Sequence, residues 1–174
     1  NPMGFLEARA SELFNFESGA AYSVLAESTI ASVRGRWVTL NKATPSGSSP
    51  SQGVALMLLG DDADKAQVGR KLSFGYLPVT SSTSAPVIIN TGTSDAAITL
   101  RFFNHEGTEV KTDTETLAAL APMTPFAVIT SQLLDSTNEN LHMIAESNSG
   151  DLAGVVFVFN GSGEPAIGNA NTIQ

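Results

Sequence analysis

The chain offers few side chains able to do chemistry, and their types narrow the choices. There are two histidines, His105 and His142, and no cysteine. Without cysteine there are no disulfides, thiolate metal sites or thiol nucleophiles. Two isolated imidazoles fall short of a zinc ligand set. His105 sits in Asn104-His-Glu-Gly107, which reads as a solvated turn; His142 lies on an alternating segment whose facing the sequence leaves open. A serine hydrolase needs its nucleophile on a constrained elbow, and there is no Gly-x-Ser-x-Gly. Gly161-Ser-Gly163 lacks the strand–loop–helix setting and the lysine of a phosphate cradle. Asp61-Asp-Ala-Asp64 gathers carboxylates that could hold calcium, but the later glutamate and ordered glycine of an EF-hand loop are missing, so a solvated turn is expected. A paired-carboxylate glycosidase site would form only in three dimensions, and no local feature points to one. The reading is a non-enzymatic protein with no catalytic, cofactor-binding or metal residue assigned.

Binding is a separate matter. Trp37, Tyr22 and Tyr76 are of the type that stacks on sugar rings, although a single tryptophan in a β-protein is also a natural core residue. Asn160-Gly-Ser162 is an N-glycosylation sequon, meaningful only in a source that glycosylates exported proteins. The net charge of −8 argues against a nucleic-acid partner, which needs a basic face. Charge is segregated along the chain: every lysine and arginine lies at or before Lys111, and acids alone follow. Such asymmetry suits either a soluble acidic edge or contact between unlike surfaces of two copies. No apolar run is long enough to span a bilayer. The chain begins at Asn1 without a signal peptide, which is read as export followed by cleavage.

The elements that must position these residues are mostly strands. Hydrophobic content is 42% and charged content only 15%, compatible with a sizeable core under a neutral polar surface. Ile98, Leu100 and Phe102 alternate with Thr99 and Arg101, the period of a half-buried strand. Gly107 is free to take positive φ, so Ala97–Phe103 and Thr108–Thr112 are expected to form a hairpin. Lys71–Leu77, Arg36–Leu40, Ala20–Ala26 and Leu141–Ala145 read as further strands, and the tail from Ile167 as an edge strand. Gly53–Gly60 and Gly154–Phe159 are apolar on both faces, which suits a strand covered on two sides. These two look like twins, each following a strand and a polar loop, giving a weak internal repeat with its seam near Thr80–Ala85. Asn41–Gln52 reads as a long loop. Helical spacing is convincing only at Gly4–Phe14, where Leu6, Ala10, Leu13 and Phe14 share a face.

The series Asn90-x-Gly92, Ile98–Phe102, Asn104…Gly107, Val110 and Leu117…Leu120-x-Pro122 resembles the immunoglobulin-like sandwich modules of secreted bacterial and archaeal surface proteins, over roughly residues 87–161. The resemblance implies spacers, adhesive domains or assembly units. Combined, the expectation is an all-β antiparallel sandwich, immunoglobulin-like or jelly-roll-like, over residues 20–174, with an amphipathic segment at 1–19 that could connect subunits. Its expected role is that of an extracellular, cell-surface structural or adhesive protein, the self-associating subunit of a fibre or pilus-like filament. The alternative is a carbohydrate-binding or carbohydrate-active sandwich module.

Overall fold

Alternation between apolar and polar residues governs the second half of the chain. The structure, a computed structural model, describes Ala8 and residues 10–15, 35–40, 52–57, 68–134, 139–161, 163 and 165–173. The expected hairpin forms as read: β5 (Ile98–Phe103) pairs antiparallel with β6 (Glu109–Asp113). Gly107 takes φ 82, and the Asn104 carboxamide oxygen accepts from the Glu106 and Thr108 N–H groups, closing the turn. Ile98, Leu100 and Phe102 point into the core as the alternation requires.

The other strands, in chain order, are β1 (Gly35–Leu40), β2 (Gln52–Met57), β3 (Lys71–Leu77), β4 (Thr83–Asn90), β7 (Pro125–Ala127), β8 (Leu141–Ser147), β9 (Leu152–Phe159), β10 (Pro165–Asn169) and β11 (Asn171–Thr172). They form a four-stranded sheet, β10-β9-β4-β7, a five-stranded sheet, β11-β3-β8-β5-β6, and a separate β1-β2 pair. All of these strand pairs are antiparallel. β2 also runs near β10. The two larger sheets face each other across one core. Leu72, Phe74, Leu100, Phe102 and Met143 come from the five-stranded sheet, and Ile88, Leu152 and Val156 from the other.

Gly154 sets the closeness of that packing. A Cβ there would fall 2.7 Å from Cζ of Phe74 and 3.0 Å from the Val87 carbonyl oxygen. The missing side chain is what lets the Phe74 ring seat under β9. At the end of β4, fully buried Asn90 acts as a clamp. Its Nδ2 donates to the Ser94 and Leu120 carbonyls, each at 2.8 Å, and its Oδ1 accepts from the Gly92 N–H at 2.9 Å. One side chain thereby fixes two irregular loops that no sheet ladder reaches.

Two helical turns flank this framework. α1 (Ala10–Leu13) is shorter than the Gly4–Phe14 expectation: Ala8 lies outside any helix, and Leu13 and Phe14 are exposed. α2 (Thr130–Leu133) was not foreseen from the sequence. It packs on β4, where the buried Thr130 and Ser84 hydroxyls meet at 2.7 Å and Ser84 also donates to the Pro78 carbonyl. The strand read at Ala20–Ala26 and the loop from Asn41 lie outside the described residues.

The structure places the expected repeat differently. β1 and β2 are hydrogen-bonded to each other, whereas β8 and β9 lie in opposite sheets, so those two strand–loop–strand pairs are not equivalent. The stretch from Thr80 to Ala85 connects β3 to β4 across the core, and Thr83–Ala85 are already β4. Small polar residues mark a crossing between sheets here.

Candidate functional site

The outer faces of the two sheets differ sharply, and the contrast follows from which residues occupy the non-core positions. On the five-stranded sheet these are Lys71, Ser73, Thr99, Arg101, Phe103, His142, Ile144 and Glu146, as burial alternates along β3, β5 and β8. Lys71 pairs with Glu146 at 3.4 Å, and Arg101 binds Glu109 while its guanidinium lies over the Phe103 ring at 5.2 Å. The Thr112 hydroxyl, then Arg101, hold the Glu109 carboxyl below its ordinary value. Exposed pairs of this kind contribute little stability, but they keep the face wet.

On the four-stranded sheet the outer positions are apolar. Val156 and Val158 turn toward the core, so Ala153, Val155, Phe157 and Phe159 turn away from it. Across the ladder, Ile89 lies opposite Ala153, Val87 opposite Val155, Ala85 opposite Phe157, and Ile167 also opposite Phe157. Phe157 and Phe159 stack with ring centroids 6.1 Å apart. Ala153 and Val155 are buried, and Val87, Ile89, Phe157, Phe159 and Ile167 are half-buried. A sheet that covers one core needs one apolar face, and this one has two. The sequence showed half of this in the doubly apolar Gly154–Phe159. It concealed the contribution of β4, because Pro86 and the small residues before it resemble a linker.

The residues singled out for chemistry do not converge. His105 is exposed at the hairpin tip, 4.0 Å from the Glu106 carboxylate. His142 stacks on Phe103, ring centroids 4.9 Å apart, on the charged face. Tyr76 is exposed on β3, beside an irregularity in the β3–β8 register. Trp37 lies in β1 opposite Ala55. Tyr22, Asp61–Asp64 and Ser162 of the sequon lie outside the described residues, and Asn160 is exposed just past β9. Among the described residues no group of His, Cys, Asp or Glu could hold a metal ion, and no helix is long and apolar enough to cross a membrane.

One carboxylate is unusually well held. Glu139 accepts from the N–H and hydroxyl groups of both Thr80 and Ser81, tying the approach to β8 onto the β3–β4 crossing. Burial by itself would raise its carboxyl. The Ser81 hydroxyl and the Thr80, Ser81 and Val79 N–H groups outweigh that and lower it. This is a structural latch.

Fold and faces together define an all-β, mainly antiparallel protein whose five-stranded sheet turns a charged face outward and whose four-stranded sheet turns an apolar, partly covered one. No protein-family profile matches the chain, and no curated protein matches it. It is similar to the solved structure of Thermotoga maritima 1070, at 18% identity and a TM-score of 0.47, over 61% of this chain and 95% of that one. A likeness of this degree does not bear on function.

Proposed function

We propose that this is a non-enzymatic structural module of an extracellular or cell-surface protein, an immunoglobulin-like β-sandwich that associates with its own kind into a fibre or pilus-like filament. The observation that carries the reading is the second apolar face of the four-stranded sheet, on which Ala153 and Val155 are already covered within the chain while Val87, Ile89, Phe157, Phe159 and Ile167 around them stay half-exposed. Apolar surface of that extent on a sheet edge and flank favours burial against a neighbour, and an interface between unlike surfaces propagates without closing. The segregation of basic and acidic residues along the chain agrees with unlike surfaces meeting, although Lys71–Glu146 shows that some of that charge is matched within one copy.

Light scattering and negative-stain microscopy of the full chain over a concentration series test this. Association is expected, and Phe157→Lys combined with Ile167→Lys should abolish it while circular dichroism remains unchanged. A chain that stays monomeric at high concentration refutes the assembly role. The carbohydrate-binding alternative has one observation in its favour, exposed Tyr76 on β3. Binding on a glycan array that Tyr76→Ala removes would establish it instead.

A further inference from the structure

Asn160 is the one asparagine of this sequence that a glycine follows. The pair stands just past β9, and both residues are exposed. The Gly163 N–H donates to the Asn160 carbonyl at 2.9 Å, so residues 160–163 form a turn, with Gly163 at φ 74. Gly163 is the glycine this turn needs for its backbone. Gly161 has no such duty: its φ lies outside the left-handed region, and a Cβ there would meet nothing within 4 Å. Its missing side chain matters instead to the chemistry of the residue before it.

An asparagine carboxamide can close a five-membered ring with the next main-chain nitrogen. When the Gly161 nitrogen attacks Cγ of Asn160, the N–Cγ bond forms and the Cγ–Nδ2 bond breaks. Ammonia leaves, carrying the Gly161 amide proton, and a succinimide remains. Water then opens the ring at either carbonyl. Cleavage of N–Cγ leaves aspartate; cleavage at the main-chain carbonyl leaves isoaspartate, with the chain running through the former side chain. A side chain on the following residue crowds the ring, whereas glycine does not and also gives the backbone most freedom to reach it. Other asparagines are worse placed. Asn90 is buried and holds three hydrogen bonds, the Asn104 Oδ1 accepts from the Glu106 and Thr108 N–H groups, and the Asn148 Oδ1 accepts from the Ala97 N–H at 3.0 Å. The residues after them, Thr91, His105 and Ser149, all carry side chains.

We propose that Asn160–Gly161 is a site of spontaneous covalent modification, at which the folded chain converts to isoaspartate and aspartate with loss of ammonia. Each conversion adds a negative charge to a chain already at −8, one residue beyond Phe159 at the end of the apolar outer face. Isoaspartate also adds one methylene to the main chain where β9 turns toward β10. The Gly163–Asn160 bond and the first rungs of the ladder, Pro165 opposite Phe159 and Ala166 opposite Val158, then lose their geometry. The other edge of β9, paired with β4, keeps its ladder. The modification therefore loosens β10 while leaving the centre of the sheet intact. It does not depend on association through the apolar face, because it proceeds within one chain.

The test is to age the full chain, made without glycan, in warm and mildly alkaline buffer. Peptide mass spectrometry locates the conversion, and isoaspartyl methyltransferase labelling counts isoaspartate. Asn160 should convert first, severalfold faster than Asn104 or Asn148, and isoaspartate should exceed aspartate. Gly161→Ala should slow the conversion about tenfold, as a barrier raised by about 1.4 kcal/mol would. Circular dichroism of that variant should be unchanged, because its methyl meets nothing. In the aged wild-type chain, β10 amides should exchange faster while β4 amides keep their rates. Freshly prepared Asn160→Asp, which has the charge without the methylene, should leave β10 exchange as in the unaged protein. The proposal is overturned if Asn160 stays intact in the folded chain, if Asn104 or Asn148 converts as fast, or if Gly161→Ala leaves the rate unaltered. Unchanged β10 exchange in the isoaspartate fraction would overturn the loosening.

Discussion

Replacing Asn90 tests whether a single buried carboxamide organises the loops at the end of β4. Asn90→Ala removes two donations at 2.8 Å and one acceptance at 2.9 Å. The Leu120 carbonyl keeps a second partner, the Ala96 N–H at 3.0 Å, so its loss is partial. The Gly92 N–H loses its carboxamide acceptor but is only half-buried, and water can substitute. Three hydrogen bonds at about 0.5–1.5 kcal/mol each, with a small cavity beneath, give a loss of about 3 kcal/mol. With a urea m-value of about 2 kcal/mol/M, the midpoint should fall by about 1.5 M in denaturation followed by far-ultraviolet circular dichroism. Asn90→Asp is the sharper variant, since it turns a donor into a carboxylate facing the Ser94 and Leu120 carbonyls. It should cost more than alanine at neutral pH and regain stability in acid, where the protonated group can donate once. A loss below about 1 kcal/mol for alanine, or an aspartate variant indifferent to pH, would refute the clamp.

Two further outcomes follow from the geometry. Gly154→Ala should destabilise by about 1–3 kcal/mol in the same assay, because its Cβ meets Phe74 and the Val87 carbonyl; Phe74→Leu in that background should relieve part of the loss, and strict additivity would count against the close approach. Glu139 has a folded-state carboxyl lowered from its ordinary value, so its contribution is full above the unfolded carboxylate range and drains as pH falls through the folded value. Melting temperature should therefore drop between about pH 5 and pH 3, and Glu139→Gln should flatten that drop; an unchanged slope would remove the latch from the account.

Much of the framework was legible because the code for a half-buried strand is local. Lys71–Leu77 and the hairpin at Asn104–Gly107 carry their alternation and turn chemistry within a few residues. β4 was harder to see. Pro86 lacks an N–H, and β7 pairs only with Val87–Ile89 beyond it, so the strand combines linker-like composition with a central position. α2 was missed because a single turn has no periodicity to display, and its support is tertiary, through Thr130 on Ser84. The apolar outer face was half visible for the same kind of reason: doubly apolar strands announce that something covers them without saying which neighbours share the face. Glu139 reads as an ordinary polar residue because its partners Thr80 and Ser81 lie far back in the chain, and Asn90 gives no sign that, besides Gly92 and Ser94 close by, it reaches the Leu120 carbonyl.

The order of the strands also governs how the molecule comes into being. β3 finds its ladder partners only in β8 and, later still, β11, and β4 pairs along its whole length only with β9. At a synthesis rate of about 5–20 residues per second, both strands emerge seconds before the segments that complete them. Within the two larger sheets only β5–β6 and β9–β10 can zip locally, and both lie toward the rims. Closure must wait for β8 and β9, which places this topology among the slow folders, on a scale of about milliseconds to seconds once the whole chain is available. Until then, the edge of β4 that β9 will cover stays open along Thr83–Asn90, and premature contact with another nascent chain is the main hazard of its biogenesis.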